Sequence, residues 1–205
     1  MPELEIPPRV LVVGGTDPTS GAGLFRDVQT LSGLGIYATG VVAAVTVQTS
    51  RSVSDVVALP ASVVGAQIDA ALEEIGTDVI KTGMLATLDV VHAVADRVER
   101  LGAGARLVID PVLVASSGRA LLAADGVEAL LERLVPRAAL ITPNLLEAER
   151  LTGIPVRTRE DMGHAANVLL AHGASAVLIK GGHLPEFDPA LDEIADLLRT
   201  LGGDE

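Results

Sequence analysis

The sequence predicts an α/β fold: a three-layer sandwich with a mostly parallel central sheet and helices on both faces. Three observations carry this expectation. Apolar runs of strand length alternate with segments of helical period. Hydrophobic residues make up 49% of the 205-residue chain, with a mean hydropathy of +0.45. No apolar run approaches the roughly 18 residues of a membrane span. Strands covered on both faces are the usual sink for such an excess. Finally, the residues of unusual chemistry fall at the ends of the strand-like runs, where parallel sheets bind ligands.

The first run, 9–14, is short, β-branched and followed by glycines, as a buried strand should be. Residues 22–34 then place Leu24, Val28, Leu31 and Leu34 at helical spacing. The stretch 38–47 gives a second strand, and 53–59 is read as a short extra one. Pro60 suits the entry of a helix over 61–75, since proline is tolerated in a first turn. Residues 78–83 form a strand and its exit, 88–101 a helix, and 106–110 a strand that Pro111 stops. A helix over 120–134 leads to a strand over 138–142 that ends at Pro143. Asn144 then occupies an N-cap position with Glu147 three places on, the spacing of a capping box. A helix over 160–172 precedes the strand 175–180, which runs into Gly181-Gly182. Leu191, Ile194, Leu197, Leu198 and Leu201 share one helical stripe, which predicts a last amphipathic helix. Residues 1–205 are expected to form a single domain, with 1–8 a flexible tail and 185–205 a divergent C-terminal helix.

Composition narrows the function. A formal charge of −12 argues against a nucleic-acid partner, because phosphate backbones attract basic surfaces. Only 1% of residues are aromatic, too few for a platform that stacks bases. The absence of cysteine removes disulfides, zinc fingers and thiol nucleophiles. The acidic, proline-broken start lacks the pattern of a signal peptide. No membrane association and a cytoplasmic location are therefore expected. The four histidines, His92, His164, His172 and His183, show no metal-ligand spacing.

The strand ends each carry two readings. Gly14-Gly15-Thr16-Asp17-Pro18-Thr19-Ser20-Gly21-Ala22-Gly23 is neither a Walker loop nor a dinucleotide fingerprint. It is either a flexible turn or a loop whose backbone approaches a small ligand. Asp27 is a solvated acid near a helix start or part of that site. Gln48 is a satisfied core amide or a donor–acceptor pair for the edge of a heteroaromatic ring. Asp110-Pro111 alone reads as a turn. Asn144 and Glu147 cap a helix or hold hydrated Mg²⁺. Lys180 beside glycines is a surface lysine or a partner for phosphate oxygens, and Arg119, after Ser116-Ser117-Gly118, is a surface arginine or a phosphate contact.

Several stretches, taken in order, form one pattern. They are Gly15-Thr16-Asp17-Pro18 through Gly21-Ala22-Gly23 with Asp27, then Ala44-Val45-Thr46-Val47-Gln48-Thr49, then Lys81-Thr82-Gly83-Met84-Leu85. Asp110-Pro111-Val112, Ala115-Ser116-Ser117-Gly118, Thr142-Pro143-Asn144-Leu145-Leu146-Glu147-Ala148 and Lys180-Gly181-Gly182-His183 complete the set, over residues 9–184. Together they resemble the hydroxymethylpyrimidine kinase / phosphomethylpyrimidine kinase family of the ribokinase-like superfamily. The resemblance implies a ribokinase-like fold, ATP and Mg²⁺, and phosphorylation of 4-amino-5-hydroxymethyl-2-methylpyrimidine and its monophosphate for thiamine diphosphate synthesis. It implies that Gln48 pairs with the ring nitrogen and amino group of the pyrimidine. Ala22, Val47 and Met84 would line the faces of the ring, with Gly15 and Asp27 near the substrate. Asn144 and Glu147 would position Mg²⁺ through water. Lys180 would face the nucleotide phosphates and Asp110 would support that region. A homodimer is expected because members commonly dimerise.

Family members continue past this last strand into a second glycine-rich segment that opens a helix, forms an anion hole and supplies the proton acceptor. The residues after His183 show no such pattern, so the domain is expected to be C-terminally shortened and no catalytic base is assigned. A general base contributes about 10²–10⁴ in rate, and an oxyanion-hole donor about 10²–10³. Weak or absent activity of the chain alone is the corresponding expectation. The alternatives are a non-catalytic pyrimidine-binding or regulatory remnant, a kinase completed by another polypeptide, and a kinase of pyridoxal-type rings.

Overall fold

The structure is a computed structural model describing residues 7–114, 120–182, 195–200 and 203–204. β1 (Arg9–Thr16) leads through α1 (Gly23–Gly33) to β2 (Tyr37–Gln48), which turns back as β3 (Val53–Ala58). α2 (Ala61–Glu74) returns the chain to β4 (Val79–Thr82), and α3 (Leu88–Leu101) to β5 (Arg106–Ile109). α4 (Ala124–Ala129) precedes β6 (Ala138–Ile141). α5 (Leu145–Thr152) and α6 (Arg159–Ala171) precede β7 (Ala176–Ile179), and β8 (Leu197–Thr200) and β9 (Gly203–Asp204) follow.

Among the described residues the strands form one sheet, ordered β3-β2-β1-β4-β5-β6-β7-β8-β9. Neighbours from β2 to β7 run parallel, while β3, β8 and β9 each join antiparallel. The expected α/β architecture is therefore observed. β1 is buried along most of its length, and its residues serve both faces alternately. Leu11 and Val13 pack in the main core with Val64 and Ile68 of α2 and Val91 and Val94 of α3. Val10 and Val12 pack on the opposite face with Leu24, Val28 and Leu31 of α1. The chain steps from β1 to β2 on one side and from α2 to β4 on the other. The order thus reverses at β1, and a crevice opens beyond its carboxyl end.

One irregularity in β2 matters for that crevice. Gly14 pairs with Val42, but Gly15 pairs with Ala44, so Ala43 is an extra residue. Such a bulge shifts the alternation of a strand. Val41 and Ala43 are buried before it, and Ala44 and Thr46 after it, so the inward set passes from odd to even positions. The Gln67 side chain covers the disturbed ladder. Its Oε1 accepts from the Val42 N–H at 3.1 Å and its Nε2 donates to the Val42 carbonyl at 3.0 Å.

Two expectations are corrected. The residues 191–201 were expected to be helical, yet Leu197–Thr200 is strand β8. The leucine spacing carries no information about the edge of β7, whose N–H and C=O groups need partners. β8 supplies them, pairing Leu197 with Ile179 and Thr200 with Ala176. Arg199 then donates to the Gly163 carbonyl at 2.8 Å and to Asn167 Oδ1 at 2.9 Å, on α6. Leu191, Ile194 and Leu201 lie outside the described residues. The helix expected over 120–134 begins only at Ala124, because Ala120 forms a bridge with Val114. It then continues as a wider π turn over Leu130–Leu134 and a 3-10 turn over Val135–Arg137.

Candidate active site

A cavity of about 540 Å³ occupies the crevice beyond β1. Its walls come from the β1–α1 loop, the ends of β2, β4 and β5, and the start of α1. Gly15, Ala22, Asp27, Gln48, Met84 and Asp110 all line it. Val47 does not. It is 57% exposed on the far side of the strand, and Thr46 takes the inward place. The bulge at Ala43 makes Thr46 and Gln48, two residues apart, the pair that faces the cavity.

The β1–α1 loop is held together by Asp17, which is 3% exposed. Its Oδ1 accepts from the Thr19 N–H and the Thr19 hydroxyl, both at 2.9 Å. Its Oδ2 accepts from the Ala22 N–H at 3.0 Å. Burial alone would raise this carboxyl, but the donors from Thr19, Ala22 and Gly21 outweigh it and hold the group below the ordinary aspartate range. Gly23 opens α1 with φ +61°, and a Cβ there would stand 2.5 Å from the Gly15 carbonyl oxygen. Only glycine lets the loop fold this tightly over the end of β1. Met84 covers the opposite side, with its sulfur 3.1 Å from where a Gly15 Cβ would be.

Gln48 reaches into the cavity from β2. Its Nε2 donates to Asp17 Oδ2 at 3.3 Å. Its Oε1 lies 3.4 Å from the Thr46 hydroxyl, but the single proton of that hydroxyl goes to the Thr16 carbonyl at 2.6 Å. Among the described residues the amide is left with one unpaired N–H and an acceptor oxygen.

From the other wall a line of charge runs across the strand ends, from Asp27, Lys81 and Asp110, which line the cavity, to Lys180, Asn144 and Glu147, which stand outside its lining. Lys81 Nζ is 2.5 Å from Asp27 Oδ2 and 3.8 Å from Asp110 Oδ2. Asp110 Oδ1 accepts from Lys180 Nζ at 3.1 Å. Lys180 is drawn beside Asn144 by a parallel bridge between the ends of β6 and β7. Asn144 and Glu147 form the anticipated capping box. The Glu147 N–H donates to Asn144 Oδ1, and the Asn144 N–H to Glu147 Oε2, both at 2.9 Å. Glu147 is 4% exposed. Burial pushes its carboxyl above the ordinary range and the Asp110 charge adds to this, while the Asn144 N–H and the Lys180 charge pull the other way.

These oxygens allow a test of the expected cation. No group of three or more His, Asp or Glu side chains that would hold a metal directly occurs among the described residues. Two acidic groups that repel one another, Asp110 and Glu147, beside the Asn144 amide oxygen, do suit a hard cation that keeps its own waters. Asn144 Oδ1 and Glu147 Oε2 each accept one hydrogen bond in the cap and keep a further lone pair, so Asn144 and Glu147, with Asp110 nearby, are the groups that fit.

Sequence reasoning passed over Asp17, Thr46 and Lys81, each of which lines the cavity. All three stand within the quoted motifs, but their roles arise from pairings 30, 31 and 54 residues apart. Arg119 and His183 lie outside the described residues.

The sequence pattern of the phosphomethylpyrimidine kinase family matches residues 17–202. The chain belongs to the phosphomethylpyrimidine kinase family. It is 42% identical over 175 residues to the hydroxymethylpyrimidine/phosphomethylpyrimidine kinase of Rhizobium meliloti (strain 1021), covering 85% of this chain and 65% of that protein. It is 40% identical over 196 residues to the enzyme of the same name from Escherichia coli (strain K12), covering 95% and 71%. The chain thus spans about two thirds of the length of these curated relatives. The crystal structure of phosphomethylpyrimidine kinase from Clostridium difficile 630 superposes with a TM-score of 0.84 at 32% identity, covering 98% of this chain and 83% of that one. An ADP complex of Bacillus subtilis pyridoxal kinase gives 0.86 at 30% identity, covering 98% and 74%. The fold is that of these ribokinase-like family kinases. No helix among the described residues is long and apolar enough to cross a membrane.

Proposed function

We propose that the protein phosphorylates 4-amino-5-hydroxymethyl-2-methylpyrimidine, and then its monophosphate, at the expense of ATP, as a step of thiamine diphosphate synthesis. The observation that carries this reading is the Gln48 amide, with an acceptor beside an N–H donor in a cavity that Asp110 also lines. An aminopyrimidine edge offers the complementary pair, an amino N–H beside a ring nitrogen. Names shared by the relatives support the same substrate.

In this reading Gln48 fixes the edge of the ring, while Gly15, Ala22, Thr46 and Met84 enclose it. Asp27 stands near the substrate, oriented by Lys81. Lys180 and Asp110 face the phosphate end, and a lysine ammonium there offsets the charge of phosphate oxygens. Asn144 and Glu147, with Asp110, would hold hydrated Mg²⁺ through its waters. That ion would neutralise charge on the nucleotide phosphates. Phosphoryl transfer draws mainly on such positioning and charge stabilisation. A cytoplasmic location and a homodimer accompany this reading as family expectations.

The test pairs calorimetry with a coupled ADP-release assay, using the hydroxymethylpyrimidine and Mg·ATP. Both ligands should bind and ADP should be released. Gln48→Ala removes two hydrogen bonds worth about 1 kcal/mol each, so pyrimidine Kd should rise roughly thirtyfold with ATP binding kept. Pyrimidine binding without turnover would remove the kinase reading of this chain. Binding of neither ligand would remove the substrate assignment as well.

A further inference from the structure

Asp17 is buried, sits in a loop it organises, and also touches the side chain that reads the ring. We propose that Asp17 is a specificity-determining positioning residue: it fixes which end of the Gln48 amide is donor and which is acceptor, and so selects the amino form of the ring over its oxo counterpart. This inference rests on the pyrimidine reading above.

The reasoning is a count of protons. A carboxylate only accepts, so the amide edge that meets Asp17 Oδ2 at 3.3 Å must be the –NH₂. Turning the amide over would set its carbonyl oxygen against the carboxylate. The neighbouring Thr46 hydroxyl does not compete for Gln48 Oε1, because its proton goes to the Thr16 carbonyl at 2.6 Å. Gln48 therefore offers one order only, an acceptor at Oε1 and the second N–H at Nε2. A 4-amino ring answers with an N–H and an unprotonated ring nitrogen. A 4-oxo ring presents the reverse, a carbonyl to Oε1 and a ring N–H to Nε2, and mismatches at both places. Asp17 itself has no freedom to yield, since Thr19 and Ala22 occupy its remaining lone pairs. Sites built to hydrogen-bond a polar edge discriminate steeply against ligands that leave their groups unpaired.

The test compares the 4-amino-5-hydroxymethyl-2-methylpyrimidine with its 4-oxo analogue, by calorimetry on the whole chain. The unsubstituted protein should prefer the amino ring by about 10²-fold or more. Asp17→Asn retains an acceptor for the loop but has an amide that accepts or donates, so Gln48 becomes free to turn. The preference should fall at least tenfold, mostly through tighter binding of the oxo ring. Thr19→Val loosens the same loop without changing what Gln48 meets. It should weaken both rings equally and leave the preference intact. A preference unchanged in Asp17→Asn, or lost equally in Thr19→Val, would overturn the inference while leaving the pyrimidine reading in place. Binding of neither ring by the unsubstituted protein would overturn both.

A second measurement needs no variant. In ¹⁵N-labelled protein, one Nε2 proton of Gln48 should keep its chemical shift when the amino ring binds, while the other moves. Two protons that move together would refute the Asp17 anchor.

Discussion

Replacing Lys81 with methionine isolates the charge line across the strand ends. Lys81 joins Asp27 at 2.5 Å and Asp110 at 3.8 Å, and the side chains of the three are 22%, 26% and 28% exposed. Asp110 keeps Lys180 at 3.1 Å when Lys81 is removed, whereas Asp27 has no second cation within ion-pair distance among the described residues. The substitution therefore strands chiefly one carboxylate. An exposed pair is worth about 0.2–1 kcal/mol, and breaking a buried one costs about 3–5 kcal/mol. A group three-quarters shielded falls between these limits, so a loss of about 2 kcal/mol is expected. For a chain of this size that is a fall in Tm of about 4–8 °C. Urea unfolding of Lys81→Met, Asp27→Asn and the double variant completes a cycle whose coupling should be about 1–2 kcal/mol. A coupling below about 0.3 kcal/mol would show that the lysine and Asp27 act independently and that the charge line holds nothing together.

Three further outcomes follow from the same geometry. Asn144→Ala opens the α5 capping box and should cost about 1 kcal/mol in urea unfolding. Thr158→Ala opens the α6 box and should cost as much, but only the first should also weaken Mg·ATP binding in calorimetry. Gly23→Ala forces a side chain into φ +61° and against the Gly15 carbonyl. A loss of about 1–3 kcal/mol, with weaker pyrimidine binding by calorimetry, is the expected result. For Glu147 the sign is opposite to that of a typical paired acid. Its folded pKa is raised, so its contribution to stability is present below the unfolded pKa and is lost as pH rises through the folded one. Metal-free Glu147→Gln should gain stability over the unsubstituted protein at about pH 7 relative to about pH 4, as read by urea midpoints.

How far the sequence foretells this structure depends on the range of the interaction involved. The α5 start was readable because Asn144 and Glu147 satisfy one another across three residues. Most of the strands from β1 to β7 announced themselves as apolar runs bounded by glycine or proline. Strand β8 did not, because Leu197–Thr200 is a strand only in the presence of the open side of β7. The placing of Val47 in the cavity failed for a related reason. Alternation along β2 was legible, but the bulge that resets it comes from pairing with β1. Gln48 stood out as an amide at the end of an apolar strand. Asp17 and Lys81 looked like loop and strand-exit residues until the fold set them beside Gln48 and Asp27.

The alternation of β2 beyond its bulge makes chain length, and not composition alone, a constraint on this family member. Removing Ala43 would restore a plain ladder with Ala44, Thr46 and Gln48 still facing inward, whereas deleting one residue between Ala44 and Gln48 would turn the amide from the cavity to water. Such a protein would keep nearly every side chain of its ancestor while losing the ability to recognise what its ancestor bound.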